Sequence, residues 1–218
     1  MAEPSSETIT QKPRIPMLKH APQTTEETRR SLKWRVVDIA VGAAVGVMSG
    51  VMFWVFDGMS YGLFPLLTLI LPGSAALLHA LFYFPATLGL LIVRKPGASG
   101  YVLLVASFVE VVLGTKYSVS LVVIALVQAL AAETVFALFR YRRWTLGVTL
   151  LSSVAIGIVY NFYLLFFYYQ AFSFFSPRGL IGTACELLSA AVFAGFGSWI
   201  LYRALAKSGV LTRFVSGR

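Results

Sequence analysis

Five of the nine acidic residues in this 218-residue chain lie within or beside long apolar runs, where a carboxylate is out of place unless something uses it. Glu110 is the clearest case. It stands three residues before Leu113-Gly114, near the end of an apolar segment, at a depth where an unpaired acid is costly and marks a functional site by default. Glu186 enters another run by about two turns of helix, and Asn161 precedes the end of a third by a similar amount. His79 reaches a comparable level, although a lone histidine serves packing as readily as ligand contact. Aromatic rings crowd the same depth: Phe53, Trp54, Phe82, Tyr83, Tyr160, Tyr163, Phe167 and Tyr168. Aromatic residues gather at any membrane interface, but Asn161 and Tyr168 are seven apart, with Gly157 one turn away, so a small residue, an amide and a phenol share one helix face. An acid, an amide and several rings suit a small cationic heteroaromatic ligand, which would take charge-assisted hydrogen bonds from the acid and stack on the rings.

Other polar groups have plainer readings. Asp38 beside Trp34 and Arg35 reads as an interfacial ion pair, and Asp57 either caps a turn with Gly58 or serves the outer site. Gln128 and Glu133 fall in the inner half of their run, where Glu133 is placed to support the turn that begins at Arg140. Ala40 and Ala44 form a small-xxx-small pair, overlaid by Gly42, Gly46 and Gly50 at the same spacing, a ridge that admits close approach of another helix, internal or foreign. Cys185 is the only cysteine, so no internal disulfide is available. No phosphate-binding loop of the Gly-x-x-x-x-Gly-Lys kind, no His-Glu-x-x-His and no Gly-x-Ser-x-Gly occurs. The chain therefore offers no ATPase of its own, no catalytic residues and no metal site, and no cofactor is expected.

Elements that could position these groups follow from composition. The chain is 58% hydrophobic and 12% charged, with a mean hydropathy of +0.79, which excludes an ordinary soluble domain. Its net charge of +9 does not form a stripe for nucleic acid, because the basic residues cluster at the ends of apolar runs. An all-α membrane protein of six transmembrane helices is expected, with spans at about 36–56, 74–93, 98–113, 117–139, 145–169 and 180–205. Pro85 should kink the second span, and the third is short for a full crossing. Residues 57–73 form an outer connection, 1–34 a disordered polar tail with no signal peptide, and 207–218 a basic tail. With both termini in the cytoplasm, all Lys and Arg except Lys116 and Arg178 fall inside, which satisfies the positive-inside bias.

The ordered set of Trp54 near Asp57, Arg94-Lys95-Pro96-Gly97-Ala98, Glu110 before Leu113-Gly114, and Gln128, Glu133 and Phe136 ahead of Arg140-Tyr141-Arg142-Arg143-Trp144 resembles the YkoE-type substrate-binding S-component of energy-coupling factor (ECF) vitamin transporters. The resemblance covers roughly residues 35–169, with a looser match through the sixth helix. It implies a six-helix subunit of a bacterial or archaeal cell membrane that captures thiamine or its hydroxymethylpyrimidine precursor from outside. Transport would need a membrane coupling (T) protein and cytoplasmic ATPases. It further implies that Glu110 pairs with the ligand's aminopyrimidine, that Asn161 assists, and that Trp54, Tyr163 or Tyr168 stacks on the rings, with His79 and Glu186 nearby. The connection that starts at Asp57 would act as a lid. The ridge of Ala40, Ala44, Gly42, Gly46 and Gly50 would face the coupling protein. Two rival readings remain: a self-sufficient secondary carrier of a small cationic solute that uses Glu110 and Glu133 as a proton path, and a membrane scaffold for which the small-residue ridge is the main feature.

Overall fold

The computed structural model describes residues 32–115, 120–168, 173–209 and 211, all within one compact unit, Leu32–Arg218. Nearly all of the polar tail expected over 1–34 and most of the basic tail expected over 207–218 lie outside the described residues. Among the described residues every regular element is helical. The elements are α1 (Val36–Ile70), a 3-10 helix (Ser74–Phe82) that runs into α2 (Phe84–Val93), α3 (Ala98–Val112), α4 (Ser120–Leu138), α5 (Leu146–Phe167), α6 (Pro177–Ser189), and α7 (Ser198–Lys207), joined to α6 by a π-helical stretch (Ala190–Gly197).

Among the described residues five helical runs are long and apolar enough to cross a membrane: Val36–Ile70, Ser74–Val93, Ser120–Leu138, Leu146–Phe167 and Pro177–Lys207. The chain is thus a multi-pass membrane protein. The sixth expected span, α3, is apolar but has only 15 residues, about 22 Å of helix against a hydrocarbon core of about 30 Å.

Two expectations about the first half change. The connection expected over 57–73 is not a loop, because α1 continues unbroken through Asp57 and past Pro65 to Ile70. Asp57-Gly58 does not stop the helix, since the residues beyond it remain apolar and helix-compatible. Pro72-Gly73 does: Leu71, ahead of the proline, is forced to an extended conformation (φ −147°, ψ 114°), and Gly73 takes φ 98°, open to a residue without Cβ. The kink expected at Pro85 takes the form of a change of helix type. The 3-10 helix ends at Phe82, and α2 starts with Pro85 in its first turn, where the missing amide hydrogen costs nothing.

The interior is organised around α2, in which every residue from Pro85 to Val93 is buried. The small-residue ridge on α1 divides by face. Gly42, Gly46 and Gly50 are buried, whereas Ala40 and Ala44 are exposed. A Cβ at Gly46 would lie 2.7 Å from Val105 and 2.9 Å from the Val102 carbonyl, and one at Gly50 would lie 2.5 Å from the Ala106 carbonyl. The glycines are therefore the seat of α3 against α1, which removes them from any surface offered to a partner.

On the side of the Arg94 and Arg140 turns, Glu133 accepts hydrogen bonds from the Ser99 backbone N–H at 3.0 Å and from the Tyr141 hydroxyl. It supports the turn through a tyrosine, not through an arginine. Burial foremost, and then Glu133, push the Tyr141 phenol above its ordinary value. Arg94 donates to the Tyr202 hydroxyl at 2.9 Å and lies over the Trp144 ring, tying the turn to α7. Trp34 donates to the Pro96 carbonyl at 3.0 Å. Asp38 accepts from the Arg35 backbone N–H at 2.9 Å and lies 3.8 Å from its side chain, as the interfacial pair expected of it.

Candidate binding site

A cavity of about 290 Å³ opens among α1, the 3-10 helix, α3, α4 and α5. Its walls are helix faces. Phe53, Asp57, Ser60 and Phe64 come from α1, Leu103, Ser107 and Glu110 from α3, Leu121, Ile124, Ala125 and Gln128 from α4, and Tyr160, Leu164 and Tyr168 from α5. Each set recurs at three or four residues, the spacing that lines up side chains on one side of a helix. His79 and Phe82 complete the wall from the 3-10 helix.

Four of the sequence candidates meet here: Glu110, Asp57, His79 and Tyr168. Glu110 is 2% exposed, and the Thr115 side chain interacts with it while also donating to Asp57 at 3.3 Å. Two carboxylates on different helices thus border one cavity, which favours a cationic occupant. Asp57 contributes as part of a helical wall instead of a loop.

Glu186 is not on the wall. It is fully buried behind it, against His79 Nδ1, and accepts from the Tyr83 hydroxyl at 2.8 Å. The contact of His79 Nδ1 with the Glu186 carboxylate fixes the position of the ring at the cavity wall. The Tyr160 ring packs edge-on against His79, 5.6 Å between centroids.

Three candidates fall elsewhere. Trp54 is 44% exposed, while its neighbour Phe53, 3% exposed, faces the cavity; one residue turns a helix by about 100°. Tyr163 packs on Phe167 and Tyr168 away from the wall. Asn161 lines an adjoining cavity of about 530 Å³ with Thr68, Gly73 and Arg178, and donates to the Thr183 hydroxyl at 2.9 Å. Gly157 packs on Ala190, so the face it was expected to share with Asn161 and Tyr168 is divided among packing and two cavities. The two cavities share Phe64, His79 and Leu164.

The sequence reading missed Gln128 as a site residue. It is 2% exposed and lines the cavity, although it was grouped with Glu133 as an inner-half residue. Phe53, Phe82 and Tyr160, noted only among the aromatic crowd, supply the ring surfaces. Among the described residues no group of three or more His, Cys, Asp or Glu side chains is placed to hold a metal ion.

Comparison with known proteins agrees with this architecture. The family model described as ABC-type cobalt transport system, permease component, matches residues 37–159, more than half of the chain. The chain is 26% identical over 189 residues to the putative HMP/thiamine permease protein YkoE of Bacillus subtilis (strain 168), a match that covers 85% of this chain and 91% of that protein. It is also similar to a crystal structure of an S-component of an ECF transporter, with a TM-score of 0.77 and 26% identity over 85% of this chain and 92% of that one. The chain accordingly belongs to the family of ABC-type cobalt transport system permease components, and its relatives together make it an ECF S-component.

Proposed function

We propose that the chain is the substrate-capture component of an ECF-type importer, binding thiamine or its hydroxymethylpyrimidine precursor from outside. The observation that carries this reading is the cavity in which Glu110 and Asp57 border aromatic walls formed by Phe53, Phe82 and Tyr160. Such a pocket matches a flat ring with an exocyclic amine and a positive charge: the acids accept hydrogen bonds and offset the charge, and the rings stack. Its volume falls at the lower end of the range for small-molecule sites. The relative named as a putative HMP/thiamine permease supports the choice of ligand. Glu110 is the principal polar contact, His79 a second one held in place by Glu186, and Tyr168 closes the mouth. Asn161 lies in the adjoining cavity, where it is placed for a longer substituent of the ligand.

In this reading α3 completes a sixth crossing, both termini are cytoplasmic, and the protein resides in a bacterial or archaeal cell membrane. A T coupling protein approaches α1 on the face of Ala40 and Ala44, which the fold leaves exposed, and separate ATPase subunits supply the energy. The outer half of α1, which carries Asp57, Ser60 and Phe64, covers the cavity in place of a lid loop.

The test is isothermal calorimetry on the detergent-purified protein with thiamine and with hydroxymethylpyrimidine. Saturable heat at micromolar ligand supports the reading, and its absence for both ligands overturns it. Calorimetry is preferable to tryptophan emission because Trp34, Trp54, Trp144 and Trp199 all lie off the cavity wall. Uptake into liposomes by the chain alone would favour a self-sufficient carrier instead.

A further inference from the structure

Gln128 is a buried polar side chain without a use in the fold. It projects from the middle of α4 at 2% exposure, lines the same cavity as Glu110, and its Nε2 has no hydrogen-bond partner. Buried amide groups are nearly always paired, and an unpaired donor is costly enough that its persistence asks for an explanation. On the cavity wall its own helix supplies Leu121, Ile124 and Ala125, and α3 supplies Leu103. These neighbours offer no acceptor, and although Ser107 of α3 lines the same wall, Nε2 bonds to no side chain of it.

The position complements Glu110. Both residues can be counted from the end of the bundle where α3 stops and α4 starts: Glu110 is two residues before the end of α3, and Gln128 is eight residues after Ser120. At 1.5 Å per residue, Gln128 lies about 9 Å deeper than Glu110. The cavity therefore has an accepting end, formed by the two carboxylates, and a donating end formed by one amide, with aromatic surfaces between them. That is the complement of a flat ring with a donor on one edge and an unprotonated acceptor on another.

We infer that Gln128 is a specificity-determining residue of this cavity, whose Nε2 donates a hydrogen bond to an acceptor nitrogen or oxygen at the inner end of a heteroaromatic ligand. The inference rests on the importer reading and sharpens it: selection falls on the acceptor atom as well as on the amine and the charge. A site that leaves a buried donor unpaired discriminates against an isostere lacking the acceptor more strongly than apolar walls discriminate by shape. Hydroxymethylpyrimidine has such an acceptor in the ring nitrogen remote from its amine, and the pyridine analogue with CH at that position does not.

The test is calorimetric titration of wild type, Gln128→Leu and Gln128→Met with thiamine, hydroxymethylpyrimidine and that pyridine analogue, with a thermal melt of each protein. Wild type is expected to prefer hydroxymethylpyrimidine over the analogue by about tenfold, the worth of one good hydrogen bond. Gln128→Leu should bind hydroxymethylpyrimidine about tenfold more weakly and treat the two ligands alike. Gln128→Met keeps the side chain's length but removes the donor, and serves the same comparison if the leucine variant does not fold. Wild-type affinity and wild-type discrimination in either folded variant would overturn the inference while the importer reading stands. Wild type that binds none of the three ligands would overturn both.

Discussion

His79 and Glu186 are 107 positions apart in the sequence and meet in the interior of the bundle, ring nitrogen Nδ1 against carboxylate, with the Tyr83 hydroxyl on the second carboxylate oxygen. The arrangement links the inside of α6 to a residue of the cavity wall. A carboxylate against Nδ1 constrains how the ring sits in the wall, so under the proposed function Glu186 would influence ligand binding through His79 without touching the ligand.

Glu186→Gln therefore separates affinity from stability. Glutamine keeps the size of the side chain and can still accept from Tyr83, but it replaces a carboxylate oxygen against Nδ1 with an amide, which changes the hydrogen bonding of the His79 ring. Ligand affinity should change several-fold in calorimetry while the melting temperature moves little. Glu186→Ala leaves His79 and Tyr83 without their partner in the interior, and should cost about 1–3 kcal/mol of stability for each unpaired group, visible as a clear fall in melting temperature.

Glu110→Gln tests the outer end of the cavity. It keeps the volume and removes the charge, so thiamine affinity should fall tenfold or more, the scale of one charge-assisted hydrogen bond. Equal binding by wild type and variant in calorimetry would remove Glu110 from the ligand contacts.

The two registers on α1 should behave differently. Gly50→Ala sets a Cβ against the Ala106 carbonyl, which cannot move away as a side-chain tip would, and overpacking of this kind costs about 1–3 kcal/mol. Thermal melts should show the loss. Ala44→Leu alters an exposed position, so folding and ligand binding should survive, while co-purification with the coupling protein is lost. A destabilised Ala44→Leu variant that still assembles would reverse the assignment.

Tyr141 lies outside the spanning helices and offers a pH probe. Its phenol is raised above the ordinary value of 10.0 by burial and by Glu133. The folded form therefore holds the proton more tightly than the unfolded form. The stability this contributes is complete below pH 10 and lost as the pH rises from there toward the folded value. A difference spectrum of wild type minus Tyr141→Phe near 295 nm should show no tyrosinate at pH 10, where a free phenol is half ionised.

That several residues share one level along the bundle was legible in the sequence, and rotation about each helix axis was not. Glu110, His79 and Tyr168 were placed at one level from hydropathy and loop charge, and the structure brings them to one cavity. Trp54 was named as a stacking ring through the family resemblance, yet the helix turns its neighbour Phe53 to the cavity. Asn161 turns toward Thr183 and an adjoining cavity. Gln128 was assigned by depth to the inner half, and only the packing of α4 shows that the cavity reaches down to it. Because Asp57-Gly58 resembles a turn, the length of α1 was also hidden; what settles it is the absence of any break until Leu71 precedes a proline. The face of the glycines was undetermined for the same reason as Trp54: residues two apart on one helix look in different directions, and the neighbouring helix decides which way is in.

That uninterrupted helix has a mechanical consequence. Asp57, Ser60 and Phe64 at one end and Ala40 and Ala44 at the other belong to a single rod, seated on α3 through Gly42, Gly46 and Gly50 between them. If the rod tilts as a unit about this seat, an outward movement of the arm that carries Asp57, Ser60 and Phe64 swings the alanines the opposite way by a smaller amount, because they lie only about 3–9 Å from Gly46 against about 16–27 Å for the outer residues. An empty and a filled cavity would then present slightly different surfaces at the far side.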